Sequence, residues 1–163
     1  MTKPIPDFLE ILKILSKHKV DSIIVGGVCA VLHGAPVTTF DLDLVHSRSP
    51  DNLERLMLAL EELDAHYRGR GKQRLKPGVS HLSSPGHQLL MTKFGPLDLL
   101  GIIGTGRSYN DLLQHTVELE VSDLQLCVLE LKKLIEVKKE TIREKDKLIL
   151  PILQQTLEEK LRQ

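Results

Sequence analysis

A chain of 163 residues with 41% hydrophobic content can build one domain around a core and has little left for a second. Lys plus Arg and Asp plus Glu are balanced at 22 each, so no global field draws the chain to nucleic acid or to an anionic membrane, and any such surface must be local. Cys29 and Cys127 are isolated thiols without zinc spacing or a disulfide framework, no apolar run reaches membrane-spanning length, and the first residues, Asp7 and Glu10 among them, do not resemble a signal peptide; a reducing, cytoplasmic setting is expected.

In chain order, Pro4 and Pro6 precede Asp7, and Phe8, Leu9, Ile11, Leu12 and Leu15 recur at helical spacing, so Asp7 caps or opens an amphipathic helix that Lys17, His18 and Lys19 end. Residues 20–25 read as a first strand, stopped at Gly26 and Gly27, where the backbone must turn sharply. Val28, Ala30, Val31 and Leu32 carry a short helix before Gly34 and Pro36 break it, and residues 40–45 alternate as a second strand. Residues two apart on a strand share a face, so Asp41 and Asp43 project together.

Two like charges side by side are unfavourable unless a cation or a proton compensates, and a divalent metal is the obvious compensation. Exposed backbone N–H groups at the Gly-Gly turn can receive phosphate oxygens. Together these suggest metal-assisted phosphoryl or nucleotidyl transfer. The same residues also fit an ordinary turn and the wet face of an edge strand, and this stretch alone favours that plainer reading.

Ser49 or Asp51 can cap a next helix with Leu53, Leu56, Met57, Leu60 and Leu63 on one face. Residues 65–97 hold no carboxylate, yet contain Arg68, Arg70, Lys72, Arg74, Lys76 and Lys93 with several glycines between them. The central part reads as a long flexible connection: either a basic flap over a phosphate-bearing substrate such as RNA, or a solvated loop. Leu89, Leu90 and Met91 lead through a Gly95-Pro96 turn to a run in which Asp98 is flanked by leucines, a costly place for an acid unless it meets water or a counter-charge. Residues 116–121 and 124–128 read as strands around Ser122-Asp123. From residue 129 the pattern is helical: Leu131, Leu134, Ile135 and Ile142 form one stripe, and Leu148, Leu153, Leu157 and Leu161 a second. Pro151 should kink the last helix, and its polar end suits docking on a partner protein or on a second copy of the chain.

Gly26-Gly27, Ala30, His33-Gly34, Thr39 and Asp41-Leu42-Asp43 resemble the signature of the nucleotidyltransferase superfamily that includes DNA polymerase beta, most of all its small bacterial and archaeal branch, some members of which act in toxin–antitoxin pairs. The resemblance implies an α/β fold in one domain, a small mixed β-sheet with packed helices and a helical C-terminal segment over 129–163. It also implies a third metal-binding carboxylate, Asp98, on a neighbouring strand. Leu134-Ile135, Lys138, Arg143 and Lys145-Asp146 stand at the spacing of the family's C-terminal LIxxKxxxxRxKD pattern. On this reading Asp41, Asp43 and Asp98 hold Mg²⁺, and Gly26, Gly27 and Thr39 receive the nucleoside triphosphate. Lys138 points across the cleft to the phosphates, supported by Arg143, Lys145 and Asp146. The expected activity is transfer of a nucleoside monophosphate to a hydroxyl of RNA, protein or a small molecule. The alternative is a non-catalytic binding protein, such as an antitoxin, and Val37 favours it by standing where the branch usually has an Arg. Ile142 and Glu144 replace the usual Gly and Pro around Arg143.

Overall fold

The computed structural model describes residues 6–69 and 73–163. Pro4, Arg70 and Lys72, singled out above, lie outside the described residues. Helix α1 (Phe8–Lys17) starts where the Asp7 carboxylate accepts the Glu10 N–H (3.2 Å) and buries Ile11, Leu12 and Leu15. Strand β1 (Ser22–Val25) runs into α2 (Gly26–Leu32), and β2 (Leu42–His46) is followed by α3 (Pro50–Glu62), capped by Ser49. Then come β3 (His66–Tyr67), α4 (Val79–Ser83), β4 (His87–Thr92) and β5 (Gly95–Leu100). A small hairpin of β6 (Ile102–Ile103) and β7 (Arg107–Ser108) leads to α5 (Tyr109–Leu112) and the hairpin β8 (Thr116–Val121) and β9 (Leu124–Leu129). Helices α6 (Leu131–Glu140) and α7 (Glu144–Leu161) close the chain.

Seven strands form one mixed sheet in the order β3-β4-β5-β2-β1-β9-β8, so the expected α/β class with packed helices is present. The central strands β1, β2 and β5 are buried almost throughout, as strands covered on both faces must be. Ser122 (φ 48°) and Asp123 (φ 69°) both take left-handed conformations, which makes the tight β8–β9 turn one that matches the twist of its strands.

Several local expectations need correction. Strand β2 begins at Leu42, which leaves Asp41 just ahead of the strand and Phe40 in solvent. The β4–β5 turn is Lys93-Phe94, because Thr92 pairs with Gly95; the Thr92 hydroxyl donates to the Gly95 carbonyl (2.8 Å) and accepts the Phe94 N–H (3.1 Å). Toward the C-terminal side of the basic segment Leu82, Leu90 and Leu97 are fully buried, while the described residues between β3 and α4 carry no helix or strand. Leu129 ends β9 instead of starting a helix, and Ile142 lies in the break between α6 and α7 and is exposed. Helix α7 continues through Pro151, which is exposed, instead of restarting there. Its buried stripe is Asp146, Leu150, Leu153 and Thr156, while Leu148 and Leu161 face solvent.

Candidate active site

The sheet register gathers the acids. Asp43 on β2 stands directly opposite Asp98 on β5 in a parallel pair, so both side chains leave the same face, and Asp41 joins them from the approach to β2. One carboxylate oxygen from each of Asp41, Asp43 and Asp98 lies within 4.8 Å of the others, an arrangement that can hold a metal ion. Desolvation first, then the charge and hydrogen bond of Asp98 and the charge of Asp41, push the Asp43 carboxyl up to about 7; Lys145 opposes them weakly. Asp98 is 8% exposed, and its Oδ1 accepts no hydrogen bond although the Arg68 guanidinium stands 2.7 Å away. Arg68 Nη1 gives its hydrogen bond instead to the Leu90 carbonyl (2.7 Å).

The glycine pair fits around these acids. Gly26 has φ +68°, and a Cβ there would stand 2.2 Å from Asp43 Oδ2; a Cβ on Gly27 would stand 2.5 Å from Thr39 Oγ1. The Thr39 hydroxyl in turn donates to the Asp41 carbonyl (3.1 Å) and holds the chain just before the acids. Gly26, Gly27, Thr39, Asp41, Asp43 and Asp98 therefore come together as one site.

The C-terminal residues divide. Lys138 Nζ lies 3.4 Å from Oδ1 of Asp146, which is 2% exposed and also accepts the Arg143 backbone N–H (2.9 Å). These contacts hold the Asp146 carboxyl below its ordinary range against the cost of burial. The Arg143 side chain is mostly exposed, with Nε 3.7 Å from Asp146. Lys145, exposed at the start of α7, is the lysine whose charge offsets that of the acid cluster.

In the sequence Arg68 belongs to a basic segment that reads either as a flap or as a solvated loop, with no sign of its pairing with Asp98. Its only local signal is an Arg directly after the β3 residues, and the partner is set by nonlocal strand order. Asn52 was also missed. Fully buried, it accepts the Asp21 N–H (2.7 Å) and donates to the Asp21 and Ser47 carbonyls (3.0 and 2.7 Å), tying the entry of β1 to the exit of β2. His33 is structural: its Nε2–H donates to the Leu129 carbonyl (2.7 Å) and its Nδ1 accepts from Lys160 (2.8 Å).

No protein-family profile and no curated protein matches the chain. Among solved structures it is similar to a protein of Thermotoga maritima assigned as a nucleotidyltransferase, at 16% identity over 88% of each chain with a TM-score of 0.59. It is also similar to the lincosamide antibiotic adenylyltransferase LnuA, solved with lincomycin bound, at 13% identity over 90% of this chain and 94% of that one, with a TM-score of 0.60. Among the described residues, no helix is long and apolar enough to cross a membrane. With its acids paired across adjacent parallel strands beside a Gly-Gly turn, the chain has the nucleotidyltransferase fold.

Proposed function

We propose that the chain is a metal-dependent nucleotidyltransferase that moves a nucleoside monophosphate from a nucleoside triphosphate to an acceptor hydroxyl and releases pyrophosphate. The observation that carries this reading is the convergence of Asp41, Asp43 and Asp98 next to Gly26 and Gly27, a repulsive cluster that folding alone gives no reason to build. Asp98 Oδ1 accepts no hydrogen bond although Arg68 stands near it, and burial followed by the neighbouring acids raises the Asp43 carboxyl, so the all-oxygen donor set suits one hard, oxygen-loving divalent ion, for which Mg²⁺ is the natural candidate. Asp41, Asp43 and Asp98 would hold Mg²⁺, which supplies neutralisation of phosphate charge and a more acidic acceptor hydroxyl.

The remaining work falls to the chain itself. Gly26 and Gly27 offer backbone N–H groups with no Cβ in front of them to the triphosphate oxygens, and Thr39 keeps Asp41 in place. Lys145 is the cation that meets the phosphates, and Lys138, held by Asp146, fixes the start of the helix that carries it. The acceptor oxygen attacks the α-phosphorus in line, the bond to pyrophosphate breaks, and the acceptor proton passes to Asp98, the acid bordering the Arg68 cleft.

Incubation with each α-labelled nucleoside triphosphate, Mg²⁺ and a cell extract should label an acceptor, and Asp43→Asn should abolish the labelling while its melting temperature holds or rises. Near-normal transfer by Asp43→Asn would sink the metal-site reading. A binding-only protein draws support from Val37, whose apolar side chain packs on the core where the branch carries an Arg; absence of labelling with every nucleotide would favour it.

A further inference from the structure

A cleft of about 630 Å³ opens along β4, linked to Asp98 through Arg68, and is bordered by Tyr67, Arg68, Lys76, His81, His87 and Leu89. That is within the size of a pocket for a small organic molecule, roughly 300–1,000 Å³. The register ties it to the chemistry: Leu89 on β4 is directly opposite Asp98 on β5, and His87 is two residues away on the same face. Arg68 spans both, lining the cleft while its Nη1 sits 2.7 Å from Asp98 Oδ1.

The chemistry of the walls is one-sided. No carboxylate lines the cleft among the described residues. Arg68 spends Nη1 on Leu90 and Asp98 and leaves Nε and Nη2 without a protein partner among the described residues. Lys76 is half exposed and, among the described residues, pairs with the exposed Glu61 at 3.6 Å, a surface contact easily exchanged for a ligand. His81 Nδ1 accepts the Gly78 N–H (3.0 Å), so the neutral ring carries its proton on Nε2 as one more donor, and the ring stands edge-on to Tyr67 with centroids 5.9 Å apart. A strand of RNA would want a run of stacking aromatics, and Tyr67 is the one such ring in this lining.

We infer that this cleft seats the acceptor, and that the acceptor is a small molecule bearing an anionic group, phosphate or carboxylate, besides the hydroxyl to be modified. The inference rests on the nucleotidyl-transfer reading above. Arg68 and Lys76 hold the anion, Leu89 covers the carbon skeleton, and the hydroxyl is turned toward Asp98. Its oxygen forms the new bond to the α-phosphorus as pyrophosphate departs.

Calorimetric titration of the full chain with a matched set of probes tests this: glucose 6-phosphate, glucuronate, glucose and glucosamine, each with and without ATP and Mg²⁺. Glucose 6-phosphate or glucuronate should bind at least tenfold more tightly than glucose, glucosamine should bind more weakly still, and whichever anion leads identifies the group recognised. Arg68→Gln and Lys76→Gln should each cost about tenfold on the anionic probe, and Lys139→Gln on α6 should cost nothing. Equal affinity for the charged and neutral sugars overturns the inference, as does displacement of glucose 6-phosphate by ATP, which would make the cleft a triphosphate pocket. Displacement by a short RNA with a steep salt dependence would overturn it in favour of a polymer acceptor. Anion binding without any Mg²⁺-dependent nucleotide turnover would remove the catalytic reading and leave the cleft, whereas ATP–Mg²⁺ binding without anion binding would remove the acceptor class and leave the catalytic reading.

Discussion

Gly26 is the residue under the most constraint. It combines a left-handed backbone, φ +68°, with an Asp43 oxygen 2.2 Å from where a Cβ would stand, so the strand-to-helix turn and the position of the acid depend on one missing methyl. Gly26→Ala should therefore cost about 1–3 kcal/mol in denaturant melts, through backbone strain and displacement of Asp43, and should reduce transfer activity beyond what lost stability explains. Gly27→Ala meets the Thr39 side chain but has no left-handed backbone to pay for, so its stability loss should be smaller, and its effect should pass through Thr39 to Asp41. Melting and labelled transfer measured on both variants check this. A Gly26→Ala protein as stable and active as the parent would mean that the turn does not approach the acid closely.

Helices α6 and α7 meet at an ion pair that decides what Lys138 does. Asp146 is 2% exposed, and the Lys138 side chain is 18% exposed and 3.4 Å away, so removing the ammonium would strand a buried carboxylate with only the Arg143 groups to answer it. Lys138→Met should cost about 3 kcal/mol, the scale for breaking one side of a buried pair, and folded protein should still bind nucleotide. Lys145→Met, at an exposed position, should leave the melting temperature nearly unchanged and weaken nucleotide binding. A reversal of the two outcomes, read by thermal melts and nucleotide titration, would return the phosphate contact to Lys138. The comparison shows what was legible in the sequence and why. The Asp7 and Ser49 caps and the Gly-Gly stop are local signals, and the elements follow them, whereas of the two alternating acids only Asp43 lies within strand β2. The direction of Lys138, the Arg68–Asp98 contact and the register that sets Asp43 beside Asp98 depend on which strand or helix lies next to which, and no periodicity carries that information. Phe40 illustrates the limit: alternation extends strand β2 back to it, yet it is 69% exposed because the strand has not begun.

At the scale of the whole molecule, two buried histidines and the half-buried Asp43 bear on how stability responds to pH between the ordinary carboxylate and neutral ranges, and they pull in opposite directions. His33 joins the end of α2 to the Leu129 carbonyl and to Lys160 of α7, and His46, 1% exposed, donates its Nε2–H to the Leu82 carbonyl (2.7 Å). Burial lowers the pKa of both, so the folded state prefers them neutral; the stability they contribute is complete above the ordinary value of 6.5 and is lost as pH falls below it. Asp43 is raised from 3.8 to about 7, so without a cation the folded state prefers it protonated, and that contribution is lost as pH rises toward 7. In the metal-free protein the two trends oppose each other below pH 6.5, so the melting temperature should rise less with pH there than the histidines alone would make it. A divalent cation favours the ionised form of Asp43 and removes its opposing trend, so in Mg²⁺ the melting temperature should climb with pH over the same range. Asp43→Asn should climb in the same way with EDTA present, because the histidines remain and the carboxyl that opposed them is gone. Melting curves at half-unit steps of pH, for both proteins with EDTA and with Mg²⁺, test the account, and it fails if metal-free parent and Asp43→Asn show the same slope, because the acid cluster would then carry no proton that a metal ion must displace.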